Sequence, residues 1–240
     1  MHSNSYTFFY AAAITVITGV LLALASEGLR PAIEGNVALE KKKNILSSVL
    51  LRPEGRQEIE SLYSGKIKGI VLDNGGNPIE ENEPFGIVLK EELEKEPDER
   101  KLPLYIYSED DGRKYYIVPM YGAGLWGPIW GYISLREDFN TIYGAYFDHK
   151  GETPGLGAEI SSYEKFQQQF EGKKIFDTEN NFISVRVVKK GIKTDFAGEN
   201  KVDGISGGTI TSNGTDKMIH TWLEQYVPYI KSRIQNTNPQ

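Results

Sequence analysis

The chain has 240 residues, 39 % of them hydrophobic and 25 % charged, which is enough for a sizeable packed core. Its 27 Lys and Arg residues against 33 Asp and Glu residues give a net charge of −6, and this lack of basic excess argues against a nucleic-acid partner. Cysteine is absent, which excludes disulfides, thiol nucleophiles and cysteine-ligated metal clusters, so redox chemistry would need an organic cofactor or another kind of metal site.

The N-terminal segment contains no charged side chain before Glu27. Residues 6–25 form an apolar run of about 20 residues, the length that crosses a ~30 Å hydrocarbon core as a helix. Tyr6 and Tyr10 lie near one end of the run, where aromatic rings favour the headgroup layer. The small residues Ala23 and Ala25 leave a cleaved signal peptide as an alternative. The pattern predicts a retained single transmembrane anchor over residues 1–26.

Residues 27–53 are predicted to connect this anchor to the main domain. Residues 27–35 contain Pro31 and predict a short linker, and residues 37–51 have the apolar spacing of an amphipathic helix that ends before Pro53. The lysines at 41–43 follow the anchor, so the positive-inside rule would place the main domain in the cytoplasm, although the rule is weak for large domains. The main domain is then expected over residues 54–240.

The remaining chain alternates between strand patterns and turn signals, which predicts an α+β domain with a mostly antiparallel sheet and flanking helices. An acidic stretch over residues 91–101 predicts a loop or a short helix. Five apolar residues at helical spacing near the C-terminus, beginning at Met218 and ending at Tyr226, predict a helix that packs on the core. Strands are predicted over residues 66–73, 105–108, 114–120, 129–135, 141–148 and 182–189, and a further short helix over 160–170.

Two glycine motifs do not fit the chemistry with which they are usually associated. Residues 122–127 match G-x-G-x-x-G, but Pro128 and a predicted strand follow where a dinucleotide site requires a helix. Residues 204–208 match the G-x-S-x-G of hydrolases, but the one downstream histidine, His220, shares a short helix with Asp216 and cannot complete a triad. The three histidines of the chain show no ligand spacing, so no metal site is predicted.

A loop rich in hydroxyls and glycines precedes the C-terminal helix, which is expected to begin near Ser212 or Asn213. Gly207 and Gly208 allow a bulky group to approach the backbone, and the helix N-terminus offers N–H groups and a positive dipole end to a phosphate. A helix N-cap at Thr211 or Ser212, with the glycines forming a turn, explains the same residues. The hydroxyl-bearing residues of the loop are Ser206, Thr209, Thr211 and Ser212.

The stretch D-G-I-S-G-G-T at residues 203–209 resembles the D-x-x-[ST]-G-A-T signature of FMN-binding domains with covalent flavin. The whole chain resembles the C subunit (NqrC) of sodium-translocating NADH:quinone reductases in its N-terminal span, in residues 121–131, in the E-T-P-G-L-G loop at residues 152–157 and in the terminal S-G-G-T-I-T-S. Gly208 departs from the signature, which has alanine there.

The resemblance implies that a flavin transferase joins the phosphate of FMN to the hydroxyl of Thr209. Asp203 would hold this loop or assist the transferase, Ser206 would form hydrogen bonds within it, and Trp126 would pack on the flavin or form its entry edge. No residue of the chain is expected to be catalytic. The E-T-P-G-L-G loop that would lie against the flavin comprises Glu152, Thr153, Pro154, Gly155, Leu156 and Gly157.

The resemblance further implies a one-electron carrier within a membrane complex that couples NADH oxidation and quinone reduction to sodium export. The chain would take electrons from the iron–sulfur-bearing membrane subunits and pass them to the FMN of the B subunit. Its flavin domain would lie on the periplasmic side of the bacterial inner membrane, contrary to the lysine count. Two alternatives remain: the equivalent flavin subunit (RnfG) of an Rnf-type ferredoxin:NAD complex, and a membrane-anchored binding or assembly module without redox function.

Overall fold

The computed structural model describes residues 4–80 and 83–237, so the ends of the predicted anchor and domain at residues 1–3 and 238–240 lie outside it. Helix α1 spans Asn4–Ser48. Within it, a window of 18 residues has a mean hydropathy of 2.2 and none of that window is buried inside the chain. The helix is therefore long and apolar enough to cross a membrane.

Residues 27–35 are helical, so the predicted linker is wrong. Pro31 removes one backbone hydrogen bond, but its fixed φ is compatible with a helix. The Arg30 guanidinium lies 3.6 Å from the carboxylate of Glu27 and 3.1 Å from that of Glu34. These ion pairs join residues three and four positions apart, a spacing that stabilises a helix, and the Ala and Leu residues of this stretch also favour a helix. The linker prediction gave too much weight to a single proline among good helix formers.

The chain divides into two compact units, of which the second begins at Lys42, earlier than the predicted domain start at residue 54. The last turns of α1 belong to this second unit, where Ile45, Leu46 and Val49 are buried. The ammonium group of Lys42 lies 2.5 Å from Glu60 Oε2. Residues 42–51 of the segment expected to form a separate amphipathic helix thus belong to the second unit, and their buried side chains are part of its core.

A six-stranded antiparallel sheet forms the centre of the second unit, as the sequence predicts, with strand order β2-β1-β3-β4-β5-β6. The G-x-G-x-x-G match spans the end of β4 and the turn into β5, so a strand and not a helix follows that motif. The strands are β1 (Ile67–Leu72), β2 (Pro78–Ile79), β3 (Leu102–Ser108), β4 (Lys114–Ala123), β5 (Pro128–Leu135) and β6 (Ile142–His149).

Helices cover both faces of this sheet because its strands place alternate side chains on opposite sides. Val118 points into a core shared with the C-terminal helix, whereas its neighbour Ile117 packs with tyrosines and with the end of α1 on the other face. Each fully buried aliphatic or aromatic side chain stabilises the fold by about 1.5–3 kcal/mol. The other helices are α2 (Arg56–Lys66), α3 (Leu89–Glu94) and α4 (Thr209–Thr237).

The buried face of α4 confirms the predicted apolar stripe, and Trp222 is fully buried. Its indole N–H donates a 2.7 Å hydrogen bond to the carbonyl of Tyr121 in β4. At Gly214 the helix comes close to this strand, since an added Cβ would lie 2.2 Å from the carbonyl oxygen of Ala123. This contact fixes the start of α4 beside the β4–β5 turn.

The segment between β6 and α4 departs most from the sequence expectations. Residues 160–170 do not form an α-helix. They contain the end of one 3-10 helix, Gly157–Ser161, a turn at residues 163–166 and a second 3-10 helix, Gln167–Phe170, because burial of Phe166 and Phe170 against β6 outweighs helical propensity. The strand expected over residues 182–189 is reduced to β7 (Arg186–Val188). It pairs in parallel with the unpredicted β8 (Lys201–Asp203).

Candidate functional site

The segment that joins β8 to α4, residues 203–209, is here called the acceptor turn. Gly207 has φ +77°, a conformation that favours glycine, and the carbonyl of Gly208 accepts a 2.8 Å hydrogen bond from Ser212 N. Helix α4 consequently begins at Thr209 and not near Ser212 as expected. Thr209 is exposed in the first helical turn, where backbone N–H groups lack intrahelical partners.

Neither Thr211 nor Ser212 caps the helix, which corrects one interpretation of the sequence. The Thr211 hydroxyl is buried and donates a 2.5 Å hydrogen bond to Glu152 Oε2. The Ser212 hydroxyl oxygen accepts a 2.9 Å hydrogen bond from Ile205 N. Both hydroxyls therefore hold other segments against the helix, which leaves those of Ser206 and Thr209 exposed on the acceptor turn.

Glu152 joins three segments of the site. Its side chain is buried. Its Oε1 accepts a 2.8 Å hydrogen bond from the backbone N–H of Trp126, and its Oε2 accepts one from the side-chain hydroxyl of Thr211. Its own backbone N–H donates to His149 Nδ1 at 3.1 Å. The β4–β5 turn, the E-T-P-G-L-G loop and the first turn of α4 thus meet at one carboxylate.

Glycines leave the room that this junction needs. A Cβ at Gly124 would lie 2.5 Å from Glu152 Oε1, and one at Gly157 would lie 2.4 Å from both Glu152 Oε2 and Thr211 Oγ1. A Cβ at Gly208 would lie 3.1 Å from the backbone nitrogen of Gly157. The acceptor turn and the E-T-P-G-L-G loop are therefore in backbone contact.

Exposed apolar side chains surround this junction, and we call them the apolar rim. The Trp126 side chain is 68 % exposed although its own N–H is bonded to the buried Glu152. Leu156 lies over the acceptor turn, since a Cβ at Gly207 would come 2.6 Å from its Cδ2. Exposed apolar side chains beside such a junction favour contact with an apolar ring or partner. The rim comprises Leu125, Trp126, Leu156 and Ile210.

The remaining residues of the E-T-P-G-L-G loop are more peripheral. Thr153, Pro154 and Gly155 are exposed, and the Thr153 carbonyl accepts a hydrogen bond from Leu156 N at 3.1 Å. Gly155 N donates to Glu159 Oε1 at 3.0 Å. These residues shape the turn that brings Leu156 and Gly157 to the acceptor turn.

Asp203 is held through its backbone, which was not foreseen. Its N–H donates to Gln169 Oε1 at 3.0 Å, and its carbonyl accepts from Gln169 Nε2 at 3.3 Å. Asp203 also lines a cleft of about 430 Å³ together with Ser206 and Lys190. Asp203 thus lies at the start of the acceptor turn, and the role of its side chain in holding that turn stays a prediction.

A second cleft, of about 300 Å³, contains Thr209 and reveals two residues that the sequence interpretation missed. Lys189 and Lys190 line it with Ser206 and Gly207. The run K-K-G-I-K at residues 189–193 was a visible signal, but nothing in the sequence placed it beside a turn that lies beyond β8 along the chain. Two cations therefore line the cleft of the exposed threonine.

The arrangement of Asp216 agrees with the rejection of a serine-hydrolase site. Its two carboxylate oxygens accept hydrogen bonds of 3.0 and 2.7 Å from the Arg186 guanidinium, and Oδ1 also accepts from Val187 N at 2.7 Å. This pair raises the pKa of Arg186 through the hydrogen bond with Asp216. Asp216 therefore holds β7 against α4 and does not orient a histidine toward Ser206.

Comparison with known proteins identifies relatives over most of the chain. Residues 124–224 match the FMN-binding domain family, a span that includes the rim, the buried carboxylate and the acceptor turn. The C subunit of the Na(+)-translocating NADH-quinone reductase of Pasteurella multocida is 32 % identical over 88 % of this chain and 86 % of its own length. The protein of the same name from Pseudomonas aeruginosa is 29 % identical over 92 % of both chains.

A solved structure agrees with these relatives in fold and in sequence. The crystal structure of the C subunit of the Na(+)-translocating NADH-quinone reductase from Parabacteroides distasonis superimposes with a TM-score of 0.76 and is 42 % identical. The match covers 84 % of this chain and 96 % of that one. The chain therefore belongs to the NqrC family, the C subunits of Na+-translocating NADH-quinone reductases.

Proposed function

We propose that this chain is the electron-carrying subunit of a sodium-translocating NADH:quinone reductase and that it holds FMN through a phosphoester to Thr209. The observation that carries the proposal is the exposure of Thr209 in the first turn of α4, on a turn that two glycines keep free of side chains. Among the four hydroxyl-bearing residues between 206 and 212, all of which the structure describes, only Ser206 and Thr209 are exposed.

The residues around Thr209 fit a flavin phosphate. Free N–H groups at the start of a helix and its positive dipole end favour a phosphate, and Lys189 and Lys190 add positive charge in the same cleft. Gly207 and Gly208 let the phosphate approach the backbone closely. The site thus offers a nucleophile-bearing threonine, charge compensation and space.

The apolar rim suits the ring system of the flavin. Trp126 and Leu156 present exposed apolar surface beside the acceptor turn, where an aromatic ring can stack or pack. When bound, FMN supplies one-electron transfer, and the protein adjusts its potential by hydrogen bonds and charge. Thr209 would hold the cofactor permanently, and the rim would orient it while leaving an edge open to redox partners.

Partners and orientation follow from membership of this family as parts of the same proposal. The chain would receive electrons from the iron–sulfur-bearing membrane subunits and deliver them to the FMN-carrying B subunit. Helix α1 would anchor it in the lipid of the inner membrane with the flavin domain on the periplasmic side. A flavin transferase would act on the acceptor turn during maturation: the Thr209 hydroxyl would displace the leaving nucleotide from a flavin dinucleotide, so that the phosphoanhydride bond breaks as the FMN phosphoester forms and the hydroxyl proton is released. The relatives from Pasteurella multocida and Parabacteroides distasonis favour this complex over an Rnf-type complex and over a non-redox assembly module.

The proposal is tested by locating flavin on the full chain after co-expression with a flavin transferase. Mass spectrometry should find one FMN phosphoester on the peptide that contains Thr209, and the denatured chain should fluoresce in a gel. Thr209→Val should remove the adduct, whereas Thr209→Ser should retain it because a hydroxyl remains. Ser206→Ala, which deletes the other exposed hydroxyl of the turn, is the matched control and should keep full fluorescence.

Two results would contradict the proposal. A chain that carries no adduct in the presence of an active transferase would exclude a covalent flavin carrier. An adduct that persists in Thr209→Val would exclude Thr209 as the attachment point and move it to another hydroxyl.

A further inference from the structure

The carboxylate of Glu152 is buried without a cationic partner. Its side chain is 5 % exposed, and its two oxygens accept hydrogen bonds from neutral donors, the Trp126 amide and the Thr211 hydroxyl. Within the described residues no Lys, Arg or His forms an ion pair with it. Both oxygens thus serve as hydrogen-bond acceptors, and their donors carry no formal charge.

The surroundings are shaped around this charge. Side chains at Gly124 or Gly157 would overlap the carboxylate oxygens, at 2.5 and 2.4 Å. Thr211 lies in the first turn of α4, so the positive end of the helix dipole partly compensates the negative charge. These features explain how an unpaired carboxylate is tolerated in the protein interior, where such a group is otherwise costly.

The Glu152 carboxylate lies between the first turn of α4, which contains Thr209, and the apolar rim. Thr211, which donates to Oε2, lies two residues after Thr209. Trp126, which donates to Oε1, belongs to the apolar rim. A buried charge acts through a low dielectric and is screened by salt much less than a surface charge. Any redox group held between Thr209 and the rim would therefore experience its field.

We infer that Glu152 is a positioning residue whose buried negative charge lowers the reduction potential of the flavin held at Thr209. The inference rests on the proposed function. The carboxylate fixes the first turn of α4 against the β4–β5 turn, and its charge opposes the addition of an electron nearby. It thereby makes the bound flavin a stronger electron donor toward the next carrier.

The experiment compares the midpoint potential of the flavin-loaded full chain with that of Glu152→Gln, by equilibrium reductive titration followed by visible absorption. Glutamine keeps the size and can still accept from Trp126 N but removes the charge. The potential should shift to a more positive value, and the shift should persist at high salt. Glu159→Gln is the matched control, because Glu159 follows the same loop but pairs with Lys165 at 2.6 Å. Its shift should be smaller and should vanish at high salt.

A second variant and a second readout separate the charge from the structural clamp. Glu152→Asp keeps the charge, so its potential should stay close to that of the parent even if the shorter side chain weakens the junction. In the chain without flavin, hydrogen exchange of the Trp126 amide should accelerate strongly in Glu152→Ala and little in Glu152→Gln. This measurement does not depend on flavin attachment.

The outcomes are distinguishable. A parent chain without adduct contradicts the proposed function and leaves the hydrogen-exchange test of the clamp in force. An unchanged potential in flavin-loaded Glu152→Gln, or a positive shift of the same size in Glu152→Asp, overturns the role of the charge. Unchanged exchange of the Trp126 amide in Glu152→Ala overturns the positioning role.

Discussion

Gly208 packs directly on Gly157, so that the acceptor turn and the E-T-P-G-L-G loop touch through their backbones. A Cβ at Gly208 would lie 3.1 Å from the nitrogen and 3.2 Å from the Cα of Gly157. That spacing is tight but requires a shift of only a few tenths of an ångström. The reverse addition is worse, because a Cβ at Gly157 would meet Glu152 Oε2 and Thr211 Oγ1 at 2.4 Å.

The two glycines should consequently respond differently to alanine. Gly208 does not have a positive φ, so Gly208→Ala gains about 0.4–1 kcal/mol from the unfolded chain, which offsets the crowding. Its unfolding free energy should stay within about 1 kcal/mol of the parent, with flavin attachment retained. Gly157→Ala should lose about 1–3 kcal/mol and attach less flavin. Chemical unfolding of the detergent-solubilised chain measures the unfolding free energy of each variant, and the mass of the adduct measures flavin attachment. Equal losses of unfolding free energy in the two variants would contradict the tighter packing around Gly157.

The Arg186–Asp216 pair should stabilise the junction of β7 with α4. The bonds measure 3.0 and 2.7 Å, and the two side chains are 32 % and 16 % exposed. Arg186→Met leaves Asp216 with the Val187 amide alone, so the unfolding free energy should fall by about 1–3 kcal/mol. The matched control is Arg113→Met, because the exposed Arg113 pairs with Asp111 and with Glu109, each at 2.7 Å.

The control defines the outcome of this test. The Arg113 side chain is 60 % exposed, and surface pairs contribute about 0–1 kcal/mol. The loss in Arg186→Met should persist at high salt, and that in Arg113→Met should disappear. If both variants lose the same small amount, the Arg186 pair does not hold β7 in place.

The strands and the stripe of α4 could be predicted from the sequence because each depends on local periodicity. Ile117 and Val118 alternate between the two faces, and Trp222 and Tyr226 recur at helical spacing, so burial of one face enforces the pattern. The short motif of the acceptor turn was likewise visible. Its match to the family rests on order along the chain and not on three-dimensional contact.

The contacts that build the site could not be predicted in the same way. Glu152 and Thr211 are 59 positions apart, and Asp203 and Gln169 are 34 apart, so no local pattern indicates either pair. The start of α4 at Thr209 depends on packing of Gly208 against Gly157, which overrides the capping preference of serine and threonine. Tertiary contacts, and not propensity, therefore decide which hydroxyls are exposed.

The Glu159 carboxylate should titrate below its ordinary range. Its hydrogen bond with Lys165 lowers its pKa from the ordinary value of 4.5, and the bond from Gly155 N acts in the same direction. A lowered pKa in the folded state contributes stability that is present above the unfolded value and is lost as the pH falls through the folded value. In Lys165→Met the Glu159 pKa should rise toward 4.5.

Nuclear magnetic resonance titration of Glu159 measures this pKa directly. The parent should also be more stable than Lys165→Met at about pH 7, and the difference should shrink as the pH falls through the lowered folded-state pKa of Glu159 and vanish once Glu159 is protonated in both chains. A difference that grows with acid would contradict the assigned sign. Lys193→Met, a lysine change outside this ion pair, should leave the Glu159 titration unaltered.

Ser134 should be a strong stabilising contact between β5, β6 and the end of α1. Its buried hydroxyl oxygen lies 2.6 Å from the Ser48 carbonyl, 3.0 Å from the Gly144 carbonyl and 3.0 Å from Gly144 N. Gly144 makes this approach possible, because a Cβ there would lie 2.6 Å from the Ser48 carbonyl oxygen. The serine thus satisfies backbone groups where the sheet register shifts between Ser134 and Leu135.

Ser134→Ala should therefore lower the unfolding free energy by about 1–3 kcal/mol, the cost of leaving buried backbone groups without partners. Ser64→Ala serves as the control, because the exposed Ser64 hydroxyl donates to the Glu60 carbonyl on the surface of α2 at 2.8 Å. That change should cost no more than about 0.5 kcal/mol. Chemical unfolding of both variants measures these losses of free energy. A loss in Ser134→Ala no larger than that in Ser64→Ala would contradict the prediction. It would mean that the backbone groups around Ser48 and Gly144 find other partners and that apolar side chains alone hold the end of α1.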